Sequence, residues 1–400
     1  MTDEQTRLRR LAELSVKVAA NVQPGQRVVV CGQVAHAPLM REIARAAYRL
    51  GAREVDPFYL DRHFTRAAVE LGPEESLGES APWNLALLDT LSLEEGAFIL
   101  VDGAPEPRLM ADLPGELIGK AVPRKYFAQW AEIVGDRKVN WAIVPGPNAG
   151  WATEVFGKPD VEALWTAVEK ALRLDRDDPV AAWREHIDRL HRVAGALNER
   201  RFDSLRYRGP GTDLTVGLLP SSRWDGAETT TTFGVAHVAN IPTEEVYTSP
   251  DKRRAEGRLR STMPLQLLGT MVRNLELEFH DGRIVEVKAS EGADVIRGEL
   301  ASDPNADRLG EVALVDAASE VGKLGLTFYN SVFDENATCH IAYGDGFEYC
   351  IDDEHDREAG LNTSSVHTDF MVGGPEVEID GQERGGAWVP IIRDNHFQIG

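Results

Sequence analysis

Thiols, basic residues and long apolar runs are all scarce in this 400-residue chain. Its three cysteines, Cys31, Cys339 and Cys350, include no pair at metal-finger spacing, and an odd, sparse set is no disulfide framework. A reducing compartment, the cytoplasm, is therefore expected. Lysine and arginine number 43 against 65 acidic residues, a net charge of −22. A phosphate backbone is held by clustered Lys and Arg, so nucleic acid is excluded as a partner, and anionic membranes are disfavoured. The longest apolar runs, such as Val28-Val29-Val30-Cys31, have strand length and predict no membrane span. The start, Met1-Thr2-Asp3-Glu4, lacks the basic-then-apolar pattern of a signal peptide. No Gly-x-Ser-x-Gly elbow is present. Gly32-Gln33-Val34-Ala35-His36 follows a strand without the glycine spacing that lets a backbone approach a pyrophosphate.

What is present divides into two halves. Short apolar runs at Val28–Cys31, Val55–Leu60, Phe98–Val101 and Trp141–Val144 alternate with helical periodicity over 3–20, 38–51, 83–92 and most of 114–134. That alternation predicts an α/β domain, a parallel sheet with helices on its faces. Helices over 160–174 and 178–200 follow, and His186 and His191 on the second read as exposed. Beyond about residue 200 strand patterns dominate: Leu214–Leu218, Leu275–Phe279, Ile284–Val287, Glu311–Val315, Cys339–Tyr343 and Val366–Val372. Asp281-Gly282 between two alternating runs is a strong hairpin signal. The expected organisation is an α/β domain over 1–200 and a β-rich α+β domain over 201–400.

The chemistry-bearing residues concentrate in the second half. His367 and Asp369, two apart on a strand, project to one face. His340 opens an apolar strand after the acidic turn Asp334-Glu335-Asn336. Glu311 stands at the mouth of a buried strand, and Glu244-Glu245 follow Pro242 in what reads as a loop. Imidazoles and carboxylates without thiolate suit Zn²⁺, Co²⁺, Mn²⁺ or Mg²⁺. Two such ions about 3.5–4 Å apart share a bridging hydroxide and polarise a carbonyl. Taken singly each residue has an ordinary structural reading, and spacing alone does not bring the segments together.

Four ordered blocks carry a resemblance. Asn240-Ile241-Pro242-Thr243-Glu244-Glu245-Val246-Tyr247-Thr248-Ser249-Pro250-Asp251-Lys252, Gly310–Val315, Phe333–His340 and His367-Thr368-Asp369-Phe370-Met371 resemble the signature segments of the thermophilic aminopeptidases of family M29. The resemblance is strong over about 205–400 and general before that. It implies a binuclear site with ligands Glu245, Glu311, His340, His367 and Asp369. It also implies hydrolysis of the first bond of short peptides and a homodimer whose N-terminal domain restricts access. Glu311 or Glu244 is the candidate proton shuttle. The chain departs from the family pattern at Phe347, where the family has a tyrosine taken to assist the tetrahedral intermediate; Tyr349 or Tyr343 is the candidate substitute. Asp316-Ala317-Ala318-Ser319-Glu320 departs from the expected turn as well. Two other functions remain: a mononuclear iron enzyme that cleaves aromatic rings, using a two-histidine, one-carboxylate triad, and a non-catalytic metal-binding homologue.

Overall fold

The computed structural model describes residues 3–267 and 270–399. It separates into two compact units, Met1–Arg184 with Glu228–Pro242, and Glu185–Ala227 with Thr243–Gly400. The first division falls inside a long helix, at Arg184–Glu185, earlier than the change of pattern near residue 200. The segment 228–242 returns to the first unit.

The first unit is built on four parallel strands, β1 (Arg27–Gln33), β2 (Glu54–Leu60), β3 (Ala97–Asp102) and β4 (Asn140–Pro145), in the order β2-β1-β3-β4. β1 is buried at five successive positions, as a central parallel strand covered on both faces must be. Helices α1 (Asp3–Leu14) and α2 (Ala37–Arg49) pack together. α2 buries Leu39, Met40, Ile43, Ala46 and Ala47, the stripe of a 3.6-residue period. It has Pro38 in its first turn and stops at Gly51, whose φ of +91° only glycine adopts without strain. The other face of the sheet buries Val29, Cys31 and Phe98 with Leu88, Leu91 and Ile133 of α3 (Pro82–Leu93) and α4 (Arg124–Gly135). The helical stretch expected over most of 114–134 is present as Gly115–Lys120 and α4, parted at Pro123, which has no N–H to continue the ladder.

Within this unit His237 is 1 % exposed, its ring 6.5 Å from that of Trp141, and neither ring nitrogen has a hydrogen-bond partner. Burial holds its pKa down to about 4. A base with a depressed pKa is stabilising while neutral. Its contribution is therefore complete above about pH 6.5 and is lost as pH falls from 6.5 towards 4, up to about 3 kcal/mol. Urea unfolding at pH 7 and pH 4 should show the wild type losing about that much more stability than His237→Leu. Equal losses in the two proteins would remove His237 from the account.

The second unit contains two antiparallel sheets. The larger carries β5 (Phe202–Gly209), β6 (Thr212–Gly217), β8 (Ala255–Arg260), β9 (Glu276–His280), β10 (Arg283–Lys288), β14 (Glu378–Glu383) and β15 (Trp388–Arg393), ordered β10-β9-β8-β6-β5-β14-β15 and closed by the short strand His396–Phe397. Asp281 and Gly282 both have positive φ (50° and 77°), so the hairpin between β9 and β10 turns as the sequence predicts. The smaller sheet runs β13 (His367–Met371), β12 (His340–Gly344), β11 (Leu309–Val315), β7 (Glu245–Thr248) and the two-residue strand Asp225–Gly226. One core joins the two sheets. Leu205, Tyr207, Leu214 and Val216 of the larger belong to the same buried cluster as Val246, Val312, Leu314, Ile341 and Phe370 of the smaller, and Leu190, Val193 and Leu197 of helix α5 (Pro179–Arg200) join them.

Candidate metal centre

The smaller sheet sorts its side chains by strand alternation. Val246, Val312, Leu314, Ile341, Tyr343 and Phe370 face the core. The alternate positions, Glu245 on β7, Glu311 on β11, His340 on β12, and His367 and Asp369 on β13, share the opposite face. The register sets Ala342 against both Glu311 and Asp369, and Ala313 against His340. These small residues leave room between the larger ones. Glu311 follows a bulge at Gly310, where an added Cβ would lie 1.9 Å from the Asp345 carbonyl oxygen, so glycine is required there.

Two three-residue groups result: Glu245, Glu311 and His340, and Glu311, His367 and Asp369, each with its donor atoms within 4.8 Å of one another. Glu311 belongs to both. His340 Nε2 lies 3.0 Å from Glu245 Oε2, and His367 Nε2 lies 3.2 Å from Glu311 Oε2 and 3.4 Å from Asp369 Oδ1. His367 Nδ1 donates to the Asp345 carbonyl at 2.8 Å, which fixes the ring and turns Nε2 inward. A further group, Glu256, His280 and Asp281, is wholly exposed at the β9–β10 hairpin.

The electrostatics are those of negative charge crowded out of water. Burial pushes the Glu311 carboxyl up to about 7 against the nearby His367. At Asp369 burial acts the same way, but the His367 charge overcomes it and holds the group down at about 2. Both imidazoles are raised well above their usual value. Burial works against this, but Glu245 at His340 and Asp369 at His367 prevail. Glu335, at the end of helix α6 (Ser331–Glu335), is raised well above the carboxylate range by burial and then by the charges of Asp369 and Glu245. Glu245 Oε2 and Asp369 Oδ1 are buried without a hydrogen bond. Among the described residues no lysine or arginine forms a salt bridge with Glu245, Glu311, Asp369 or Glu335. Unsatisfied buried carboxylate oxygens facing neutralisable imidazoles are what a hard or borderline divalent cation satisfies, so the residues present fit a metal.

The five ligand candidates are thus brought together; other readings need revision. Glu245 opens a strand, not a loop; the strand is only four residues long, too short for its alternation to stand out. Glu244 points away from the cluster: its Oε2 is 3.5 Å from His186 Nε2 and its Oε1 accepts from Glu320 N. His186 is 5 % exposed, not on a solvated face, because Nε2 also donates to the Thr243 carbonyl at 2.8 Å. His191 is exposed as expected. Tyr343 is buried on the core face and donates to Glu299, so it takes no part. Phe347 stands 5.3 Å from the His367 ring and stacks on Tyr349 at 5.5 Å. The Tyr349 hydroxyl is 3.2 Å from that of Tyr247. Glu335 is buried too, and its place one residue before Asn336 in an acidic turn carries no sequence signal of that burial.

An α/β unit and a β-rich unit whose sheet presents a thiolate-free cluster of carboxylates and imidazoles, buried at Glu245, Glu311 and His340 and open at His367, define a two-unit metalloprotein. The model of the thermophilic metalloproteases, M29, matches residues 4–397, and the chain belongs to that family. It is 39% identical to aminopeptidase T of Thermus thermophilus over 98% of both chains, and 38% identical to aminopeptidase 2 of Geobacillus stearothermophilus over 98% of this chain and 97% of that one. The solved structure of wild-type AmpT from Thermus thermophilus superposes with a TM-score of 0.92 at 36% identity, covering 98% of this chain and 99% of that chain. The likeness therefore runs through the first 200 residues too, where the sequence alone offered only a general pattern.

Proposed function

We propose that Glu245, Glu311, His340, His367 and Asp369 hold two divalent cations, with Glu311 common to both, and that this centre removes the first residue of short peptides. Membership of M29 makes the chain a metal-dependent hydrolase of peptide bonds, and its relatives are named aminopeptidases. The observation that carries the two-ion reading is the sharing of Glu311 between two donor triads. Divalent ions bound there would acidify a water and polarise the scissile carbonyl.

The chain's own residues supply the rest. His367 is oriented by the Asp345 carbonyl, so its Nε2 is presented without rotamer search. Glu245, Glu311 and His340 are buried, which strengthens the charge interactions among them, while His367 stands on the open side of the cluster. Glu311, with its carboxyl between the triads, is our choice to take a proton and pass it to the leaving amine; Glu244, held by His186 and Glu320, is not placed for that. Tyr349 is our choice of hydroxyl donor. We further infer a cytoplasmic homodimer. Three buried free thiols accord with a reducing compartment, and among the described residues no helix is long and apolar enough to cross a membrane.

The test is release of p-nitroaniline from aminoacyl p-nitroanilides by the metal-loaded protein. Activity should require a free amino terminus, vanish with chelator and return with added divalent metal. Elemental analysis should find two ions per chain; one ion, or activity indifferent to chelator, would overturn the reading.

A further inference from the structure

The first unit holds a pocket of its own, on the face of the parallel sheet that α3 and α4 cover. The second halves of these helices close onto the strands through Leu88, Leu91 and Ile133, all buried. Their beginnings do not. Ala81 and Asn84 at the start of α3, with Tyr126, Phe127 and Trp130 in the first half of α4, line a half-open pocket of about 440 Å³. Its floor is Cys31, Phe58, Leu60, Leu100 and Ile143, from the second halves of β1 to β4. Open parallel sheets take ligands at this carboxyl end of their strands, and the volume is that of a small-molecule site.

The lining is apolar with a few polar groups of one sign. Six of its residues are aromatic. The rings of Phe98 and Trp130 lie 4.7 Å apart, and those of Trp130 and Trp141 meet edge to face at 6.0 Å, so the walls hold one another in place. At the rim Leu60 and Phe127 are 40 % and 53 % exposed, apolar surface left to water around a concavity. Among the described residues of the lining Glu79 alone is charged, with Thr65, Ser80 and Asn84 as its polar neighbours. Ser80 Oγ accepts from Tyr126 N at 3.1 Å and keeps its own proton to give. Among the described residues the Glu79 carboxylate, the Asn84 amide and the Tyr126 hydroxyl make no side-chain hydrogen bond within the chain.

Such a lining turns an anion away, because no Lys, Arg or His meets it and Glu79 repels it. It suits an apolar body with one positive charge: ring faces attract cations, and an ammonium brings three donors to a carboxylate and an amide oxygen. We infer that this pocket binds a small apolar amine, an aromatic or branched hydrocarbon body lying against Trp130 and Trp141 with its ammonium at Glu79 and Asn84. A free amine and the amino terminus of an apolar peptide both bring that chemistry. The site lies wholly within the first unit and does not depend on the reading of the metal centre.

The test titrates 2-phenylethylamine calorimetrically into the metal-loaded protein, against 2-phenylethanol and 3-phenylpropionate. The wild type should bind the amine about tenfold more tightly than the alcohol, and the carboxylate least. Glu79→Gln should cut the preference for amine over alcohol to about threefold or less. Ala121→Trp, which fills the pocket, should weaken amine and alcohol alike by at least about tenfold. Glu79 is exposed, so its variant serves if the filled one fails to fold. Crystals soaked in 2-(4-bromophenyl)ethylamine should show a bromine anomalous peak beside Trp130. Phenylalaninamide tells the two sources apart: binding within about threefold of 2-phenylethylamine admits a peptide's amino terminus, weaker binding restricts the pocket to free amines, and either upholds the site. Equal wild-type affinity for amine and carboxylate, amine binding unmoved by both variants, or bromine only at the metal centre would overturn it. Binding is read without turnover, so the result stands whether or not the chain cleaves anilides.

Discussion

Glu311→Gln is expected to lower kcat/KM by at least about 10³-fold and to deplete both metal positions together. No other ligand candidate belongs to both triads. Losing His340 or Asp369 should weaken one position and leave the other, whereas losing the Glu311 carboxylate removes a donor from each. The amide keeps the size and the strand alternation that buries Val312 and Leu314 behind it. The same substitution should act on stability in the opposite direction. Burial pushes the Glu311 carboxyl up to about 7, and Asp369 adds like charge. Above about pH 7 the metal-free wild type therefore carries an unfavourable buried charge that the amide lacks. Thermal unfolding in chelator at pH 8 should find the variant at least as stable as the wild type, while anilide hydrolysis and elemental analysis record the losses. Near-normal metal content with lost activity would confine Glu311 to proton transfer; near-normal activity would end its role altogether.

The His367–Asp369 pairing was legible because strand alternation is a strict rule, whereas the full set of five came from the resemblance to the family's ordered segments. His367 and Asp369 are two apart, so a strand there puts them on one face whatever the fold, and the core-facing Phe370 follows from the same count. The parallel sheet of the first unit was legible from apolar runs separated by helices, and the β9–β10 hairpin from Asp281-Gly282. What escaped depends on long-range contact. Glu244 and Glu245 are adjacent and chemically identical; only pairing of Glu245 with Val315, and His186 arriving from α5 some 57 residues upstream of Thr243, sends one inward and the other away. His186 looked solvated because its sequence neighbours are charged, yet the helix turns that one position towards a buried carbonyl. The division at Arg184–Glu185 lies inside uninterrupted helix, where local propensity carries no mark of a boundary. Glu335 shows the same limit, since a carboxylate in an acidic turn is ordinarily solvated.

The second large effect concerns the aromatic group beside His367. Phe347 has no hydroxyl to offer a developing oxyanion. Tyr349, stacked on it at 5.5 Å, has one. Burial first, then neighbouring charges including that of Glu311, raises this phenol well above its usual range, so it stays protonated and able to donate at any working pH. Its present contact is the Tyr247 hydroxyl at 3.2 Å, a weak neutral pairing that a stronger acceptor would displace. Tyr349→Phe should therefore lower kcat by about 10²-fold with KM little changed, the pattern of a donor engaged only in the transition state. Tyr247→Phe removes only the resting partner and should cost less than about tenfold. Adding Phe347→Tyr to Tyr349→Phe returns a phenol to the ring that faces His367 at 5.3 Å and should recover most of the lost kcat. Steady-state kinetics on one anilide across the four proteins decides it. A Tyr349→Phe enzyme with wild-type kcat would mean that the oxyanion is stabilised without Tyr349.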